Sequence, residues 1–375
     1  MKERIRRLLK TTKHRLANMG GRSPVQTIAV CAAQVPFSQG GAEAHVQGLV
    51  DNLRGAGYDV DLINIPYKWY PHEQLLKSIE IWDMLDLTES NGRPIDLVIT
   101  TKFPSYFARH PNKVLWLIHQ YRQAYDLFGT EYSEFDPADA KAMAFRDKLI
   151  TMDTQVLRTY PRIYTNAGNT ASRLKTHNGI DAQPLYHPPR LAGRYTTDSY
   201  GDYILSVGRL DKLKRVDALL RALPHCAEDM RCKIAGTGPE EEGLRALAGE
   251  LGLGERVEFL GYIPDDRLLE VYAGCAAVYF APRDEDYGYI TLEAFLSRKP
   301  VITAADSGGP LEFVKDGTNG LILPTLEAEL LGAAVESLVR YPDRCAKLGD
   351  AGYAAVKDIG WDHVIRTLLG EEKPA

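Results

Sequence analysis

The stretch that decides the fold is "DYILSVGRLDKLKRVDALLRAL", residues 202–223. It reads as a short apolar strand through "YILSV", a turn at Gly208, and a helix running through "RVDALLRAL". Strand, glycine-bearing turn and helix in this order form the unit of a parallel sheet covered by helices on both faces. The unit recurs downstream, where "MRCKIAG", "RVEFLG", "AAVYFAP", "PVITA" and "GLILP" each read as a strand followed by a loop and a helix. It recurs upstream as well: "TIAVCAA", "DVDLINI", "IDLVITT", "KVLWLIH" and "RIYTN" are strands, with helical stretches such as 42–57 and 137–157 between them. Between the two sets, "YHPPRLAGRYTTDSYG" at 186–201 loses periodicity and collects Pro and Gly, the mark of a linker. The chain is therefore expected to be an α/β protein of two doubly wound halves. In sheets of this kind ligands bind outside the carboxyl ends of the strands, so two such domains facing each other create a cleft.

Composition agrees with this and narrows it. With 375 residues, 45% hydrophobic and 25% charged, the chain has the make-up of a soluble protein of two domains. No run of about 18 apolar residues exists to span a bilayer. Its five cysteines (Cys31, Cys226, Cys232, Cys275, Cys345) form no C-x-x-C pair and read as reduced thiols of a cytoplasmic protein. The net charge of −5 conceals an asymmetry: "MKERIRRLLKTTKHRLANMGGR", residues 1–22, carries +7 and leaves −12 on the remainder. An acidic body argues against nucleic acid as a partner. Within the basic segment, Ile5, Leu8, Leu9, Leu16 and Met19 are spaced to form one helical stripe, so residues 2–19 read either as a helix resting on an anionic membrane surface or as a solvated basic tail.

The ends of the second set of strands carry the chemistry. After "ILSV" come Gly208 and Arg209, then Lys214 at the expected mouth of a helix. A guanidinium fork and an ammonium beside a helix N-terminus suit a diphosphate. After "CKIAG", Thr237-Gly238-Pro239 makes a second tight turn where backbone can approach a ligand closely. Neither half has a G-x-G-x-x-G fingerprint after its first strand, which argues against a nicotinamide dehydrogenase. "EDYGYITLE", residues 285–293, places Glu285 in a loop, Gly288 at a helix start and Glu293 inside that helix, about 7.5 Å along it from Gly288. Two carboxylates flanking bare backbone amides suit hydroxyls of a sugar and of a ribose on either side of a phosphate. The triplet Asp284-Glu285-Asp286 also has the D-x-D form of a manganese site, and the paired glutamates have the form of a glycosidase acid and nucleophile. A further turn, Ser307-Gly308-Gly309-Pro310, and the loop with Gly40 and Gly41 after the first strand complete the set; the latter can cradle a phosphate from the opposite wall.

Together, "GGAE" (Gly40 to Glu43), "GRLDKLK" (Gly208 to Lys214), "IAGTGP" (Ile234 to Pro239), "EDYGYITLE" and "DSGGPLEFVKDGTNGLIL", in order over roughly residues 24 to 370, resemble the retaining glycosyltransferases of family four. The resemblance implies the GT-B fold, two Rossmann-like domains across a cleft: an acceptor-side domain at 23–190, a linker at 191–201, a donor domain at 202–360, and a final helix within 361–375 ("WDHVIRTLLG") returning to the first domain. It implies that Arg209 and Lys214 hold the diphosphate of a UDP- or GDP-linked sugar, that Glu285 contacts the transferred sugar, that Glu293 binds the ribose diol, and that His119 lies near the reacting carbon. Gly40, Gly41, Gly208, Gly236, Gly238, Pro239, Tyr287, Gly288, Tyr289 and Ile290 complete the implied donor-binding set, with no metal and no cofactor. Retention is expected to come from front-face attack, the leaving phosphate oxygen helping to take the acceptor proton. The acceptor is expected to be a glycan or a lipid-linked molecule, faced by "PYKWYPHEQLLKSIEIWDMLDLTE" and "QYRQAYDLFGTEYSEF", where the chain departs most from the family. The rival readings are a sugar-nucleotide epimerase of the same architecture and a silent protein that senses a nucleotide or holds a partner.

Overall fold

The computed structural model describes residues 25–37 and 40–372; the basic segment read as a membrane-surface helix or a solvated tail lies outside them. In the first domain the order is β1 (Thr27–Gln34), α1 (Gly41–Gly55), β2 (Asp59–Pro66), α2 (Glu73–Met84), a small hairpin of β3 (Glu89–Ser90) and β4 (Arg93–Pro94), β5 (Leu97–Thr100), β6 (Lys113–Leu117), α3 (Ala140–Leu157), β7 (Ile163–Thr165), α4 (Gly168–Asn178) and β8 (Gln183–Pro184). The second continues with β9 (Tyr203–Val207), α5 (Val216–Ala222), β10 (Arg231–Ala235), α6 (Glu241–Glu250), β11 (Val257–Gly261), α7 (Asp265–Gly274), β12 (Ala277–Tyr279), α8 (Tyr289–Leu296), β13 (Val301–Ala304), α9 (Pro310–Phe313), β14 (Gly320–Leu323), α10 (Ala328–Val339), α11 (Pro342–Val356) and α12 (Trp361–Leu369).

Each domain is built on a six-stranded sheet, in the order β2-β1-β5-β6-β7-β8 and β11-β10-β9-β12-β13-β14, with every pairing in both sheets parallel. The composition of the central strands explains this. β5 and β13 are buried at every position and the interior of β1 likewise, because helices cover both faces and leave no solvent side for polar residues to occupy. In each sheet one strand has neighbours from opposite directions of winding: β1 lies between β2 and β5, and β9 between β10 and β12. At such a reversal the following helices leave to opposite faces and open a crevice at the strands' carboxyl ends.

The last helix crosses to the first domain. Val364, Ile365 and Leu368 of α12 are buried in the cluster that holds Leu49 and Leu53 of α1, and Arg162 donates to the Leu368 carbonyl at 2.8 Å. Gly48 permits the approach, since a Cβ there would stand 2.8 Å from the Trp361 ring. Nearer the cleft, the Glu312 carboxylate of the second domain caps α4 of the first, accepting from the Gly168 and Asn169 N–H groups at 2.7 Å each. A carboxylate there satisfies orphan donors and meets the positive end of the helix dipole. His187, in the connecting segment, stacks on Tyr287 with ring centroids 4.5 Å apart. All five cysteines are buried as free thiols. Among the described residues no helix is long and apolar enough to cross a membrane.

Candidate active site

The loops that leave β9 and β10 are pressed backbone to backbone by glycine. Gly208 and Gly236 hold φ of 128° and 133°, and a Cβ on Gly236 would stand 1.9 Å from the Gly208 carbonyl oxygen. A Cβ on Gly238 would meet the Leu210 carbonyl at 2.2 Å. Side chains are excluded here on steric grounds, so the two loops meet as main chain alone. Arg209 is exposed and its side chain makes no hydrogen bond or ion pair among the described residues; Pro239 is exposed as well.

Lys214 ends the single turn Lys212–Lys214. Its Nζ forms an ion pair with Glu285 Oε2, each side chain about a quarter or less exposed. The partner loop is held rigidly. Arg215, in left-handed backbone at φ 51°, donates to the carbonyls of Ala281 and Pro282 at 2.7 Å and forms a fork with the Asp306 carboxylate at 2.7 and 2.8 Å. The Glu285 N–H donates to Ser307 and its carbonyl accepts from Gly309, at 2.9 and 2.8 Å, which ties the glutamate to the Ser307–Pro310 turn.

Gly288 precedes α8 with φ 81°, and a Cβ there would lie 3.0 Å from Pro310 and 3.1 Å from Phe280. The start of α8 is thus a position only glycine fits, with the Pro310 and Phe280 side chains packed against it. Ile290 reaches back over Gly208, where an added Cβ would meet its Cδ1 at 3.1 Å. Glu293, one turn further on, accepts from the Tyr272 hydroxyl at 2.8 Å; burial raises its carboxyl above the ordinary value, and that hydrogen bond opposes the rise. The structure turns the Tyr287 and Tyr289 side chains away from the crevice into the domain interface, where both hydroxyls hydrogen-bond His187. They contribute main chain to the α8 entrance and fix its position from behind.

From the first domain, Gly41 faces the Tyr289 ring, 3.5 Å from where its Cβ would be, and Gly40 is exposed at the start of α1. Glu43 pairs with the buried Lys102 at 2.8 Å. His119 follows β6, with Nδ1 at 2.8 Å from the Gln120 carbonyl. A carbonyl only accepts, so Nδ1 carries the proton and Nε2 offers a lone pair. Burial lowers the His119 pKa, against a smaller opposing pull from Asp286, and so favours the neutral ring.

Sequence reasoning missed the residues that bridge the cleft. Arg173 of α4 pairs with Asp286 and, at 2.8 Å, with Asp284. Arg122 donates to the Asp284 carbonyl at 2.9 Å and lies 3.5 Å from the Asp286 carboxylate. The two outer acids of the D-x-D triplet thus face guanidinium groups, which hold the Asp286 carboxyl well below its usual range despite burial. The acids themselves were the available signal, since half-buried carboxylates require partners. Nothing in a sequence, however, says which arginine, 111 or more positions away, supplies one.

Comparison with known proteins places the second domain. Residues 194–355 match the family model described as glycosyl transferases group 1. The D-inositol 3-phosphate glycosyltransferase of Nocardia farcinica is 34% identical over 174 residues, covering 44% of this chain and 38% of that protein. The chain spans between 38% and 61% of the length of the curated relatives it matches. Among solved structures, the sucrose-phosphate synthase of Thermosynechococcus elongatus superposes with a TM-score of 0.71 at 19% identity, covering 92% of this chain and all of that one. Anabaena HepE in complex with UDP and glucose gives a TM-score of 0.66 at 17% identity, covering 92% and 98%. At these identities the likeness establishes the fold, two Rossmann-like domains in the GT-B arrangement.

Proposed function

We propose, from the match of residues 194–355 to the glycosyl transferases group 1, that the protein is a retaining glycosyltransferase that needs no metal. It moves a sugar from a nucleoside diphosphate donor to a glycan or lipid-linked acceptor. The observation that carries this reading is the direct contact of Lys214 Nζ with the Glu285 carboxylate. In a sugar nucleotide the diphosphate and the transferred sugar are joined through one oxygen. A cation suited to the phosphate and an anion suited to sugar hydroxyls, side by side at the topological switch of a parallel sheet, match the two sides of that junction.

In the reaction the bond between the anomeric carbon and the phosphate oxygen breaks, and the acceptor oxygen bonds to the same face. The acceptor proton passes to the departing diphosphate. Arg209, Lys214 and the amides opening α8 stabilise the charge that develops on the leaving group, the role a divalent cation plays elsewhere. Glu285 orients the sugar, and the neutral His119 offers Nε2 as an acceptor to a sugar hydroxyl. Asp284 and Asp286 are engaged by Arg122 and Arg173, which supports a structural reading of these acids over a metal-binding one. UDP in the Anabaena HepE structure supports a uridine donor among the candidates.

Discharge of the donor, followed by phosphorus NMR with EDTA present, tests the proposal. Slow accumulation of nucleoside diphosphate, quickened by acceptor, is the expected result. An isomeric sugar nucleotide would identify an epimerase, and an intact donor under all conditions would move the nucleotide-sensing reading ahead.

A further inference from the structure

We propose that Arg122 and Arg173 are positioning residues of the first domain which aim Glu285 from across the cleft. The inference rests on the glycosyltransferase reading for the role of Glu285, and on geometry alone for the clamp. Both guanidinium groups grip the peptide that enters Glu285: Arg122 Nη2 and Arg173 Nη2 donate to the Asp284 carbonyl at 2.9 and 2.7 Å. Asn169 adds donations to the Asp284 carboxylate at 2.9 Å and to the Glu285 carbonyl at 2.8 Å. Contacts to carboxylates alone would hold two domains together. Three donors from one domain on two successive carbonyls of the other fix the orientation of a peptide unit, and with it the direction in which the Glu285 side chain leaves the chain.

The backbone needs this grip. Asp284 sits at φ 47°, a conformation that non-glycine residues adopt at a cost and keep when their surroundings enforce it. On its own side Arg122 is anchored by Asp126 at 2.7 Å. It also stands three positions after His119, so one loop of the first domain carries both the histidine and one arm of the clamp. The clamp therefore sets Glu285 in register with His119 as well as with Lys214.

The test compares wild type with Arg173→Met in the full chain, reading turnover, affinity for UDP, GDP and ADP, and amide exchange over residues 283–290. Loss of aim should lower kcat by about 100-fold, leave nucleotide affinity unchanged because Arg209 and Lys214, assigned to the diphosphate, are not touched by the clamp, and speed exchange across the loop. Arg173→Lys should recover part of kcat, since a lysine reaches one acceptor but cannot span carbonyl and carboxylate together. Asp286→Asn, which removes a partner carboxylate and leaves both arginines, should show the same split between kcat and nucleotide affinity and serves if Arg173→Met folds poorly. Unchanged kcat, or kcat and nucleotide affinity falling together, would overturn the proposal. If the wild type discharges no donor the activity reading fails, and the clamp is then judged by exchange alone: no acceleration in Arg173→Met would overturn it.

Discussion

Glu285→Gln should lower turnover by about 10²–10³-fold and leave nucleoside diphosphate affinity equal to that of the wild type or higher. The two halves of this expectation have one cause. Glu285 places a negative charge against Lys214, the cation assigned to the diphosphate. That charge is useful to a sugar whose ring gains positive character as its bond to phosphate breaks, and it is unfavourable to the phosphate itself. The amide keeps the shape and one acceptor oxygen and removes the charge, so the transition state loses more than the bound nucleotide does. Single-turnover rates with excess enzyme, beside calorimetry on the same samples, separate the two effects. Unchanged turnover would remove Glu285 from the chemistry, and a matching loss of nucleotide affinity would make it part of the binding site only.

Lys214→Ala should have the reverse signature, weakening nucleoside diphosphate binding by about 10–100-fold, the worth of a hydrogen bond to a charged group. The loss has two sources: the phosphate loses its cation, and Glu285 is left unpaired beside it. In the double variant Lys214→Ala/Glu285→Gln the second source disappears, so part of the affinity should return, and the difference from additivity measures the coupling. Arg209→Ala should cost less, because Arg209 stands exposed with no carboxylate against it among the described residues. Equal affinity in Lys214→Ala and the wild type would mean that the ammonium serves Glu285 alone.

The alternation of strands and helices was legible because both sheets are parallel and buried. A strand such as Val301–Ala304, buried at every position, is apolar but for Thr303, and such runs stand out between glycine-bearing turns. Short or exposed pairings were not legible: Gln183–Pro184 joins the edge of the first sheet through two residues with no apolar run. The helix Glu73–Met84 lies within a stretch read only as acceptor-facing, although Leu75, Ile79 and Trp82 bury one helical face of it. In the site, strand ends pointed to Arg209, Lys214 and Glu285, since the switch point of a doubly wound sheet follows from topology.

What escaped the sequence is what the second domain receives from the first. Tyr287 and Tyr289 stand in the same short stretch as Glu285 and Gly288, and linear reading grouped them with the donor site. Their rings pack instead against His187, about 100 positions away in the chain, a partner no local pattern names. Arg122 and Arg173 gave no local signal either, for an arginine that grips a carbonyl across a cleft looks in sequence like any solvated arginine.

The measurement that bears most directly on the account is a calorimetric titration of the wild-type protein with UDP, GDP and ADP in buffer containing EDTA. The expected result is binding of one nucleoside diphosphate in preference to the others without added metal, through Arg209, Lys214 and the amides opening α8. Binding of none of the three would contradict the diphosphate site on which the assigned roles of Lys214, Glu285 and Glu293 all depend.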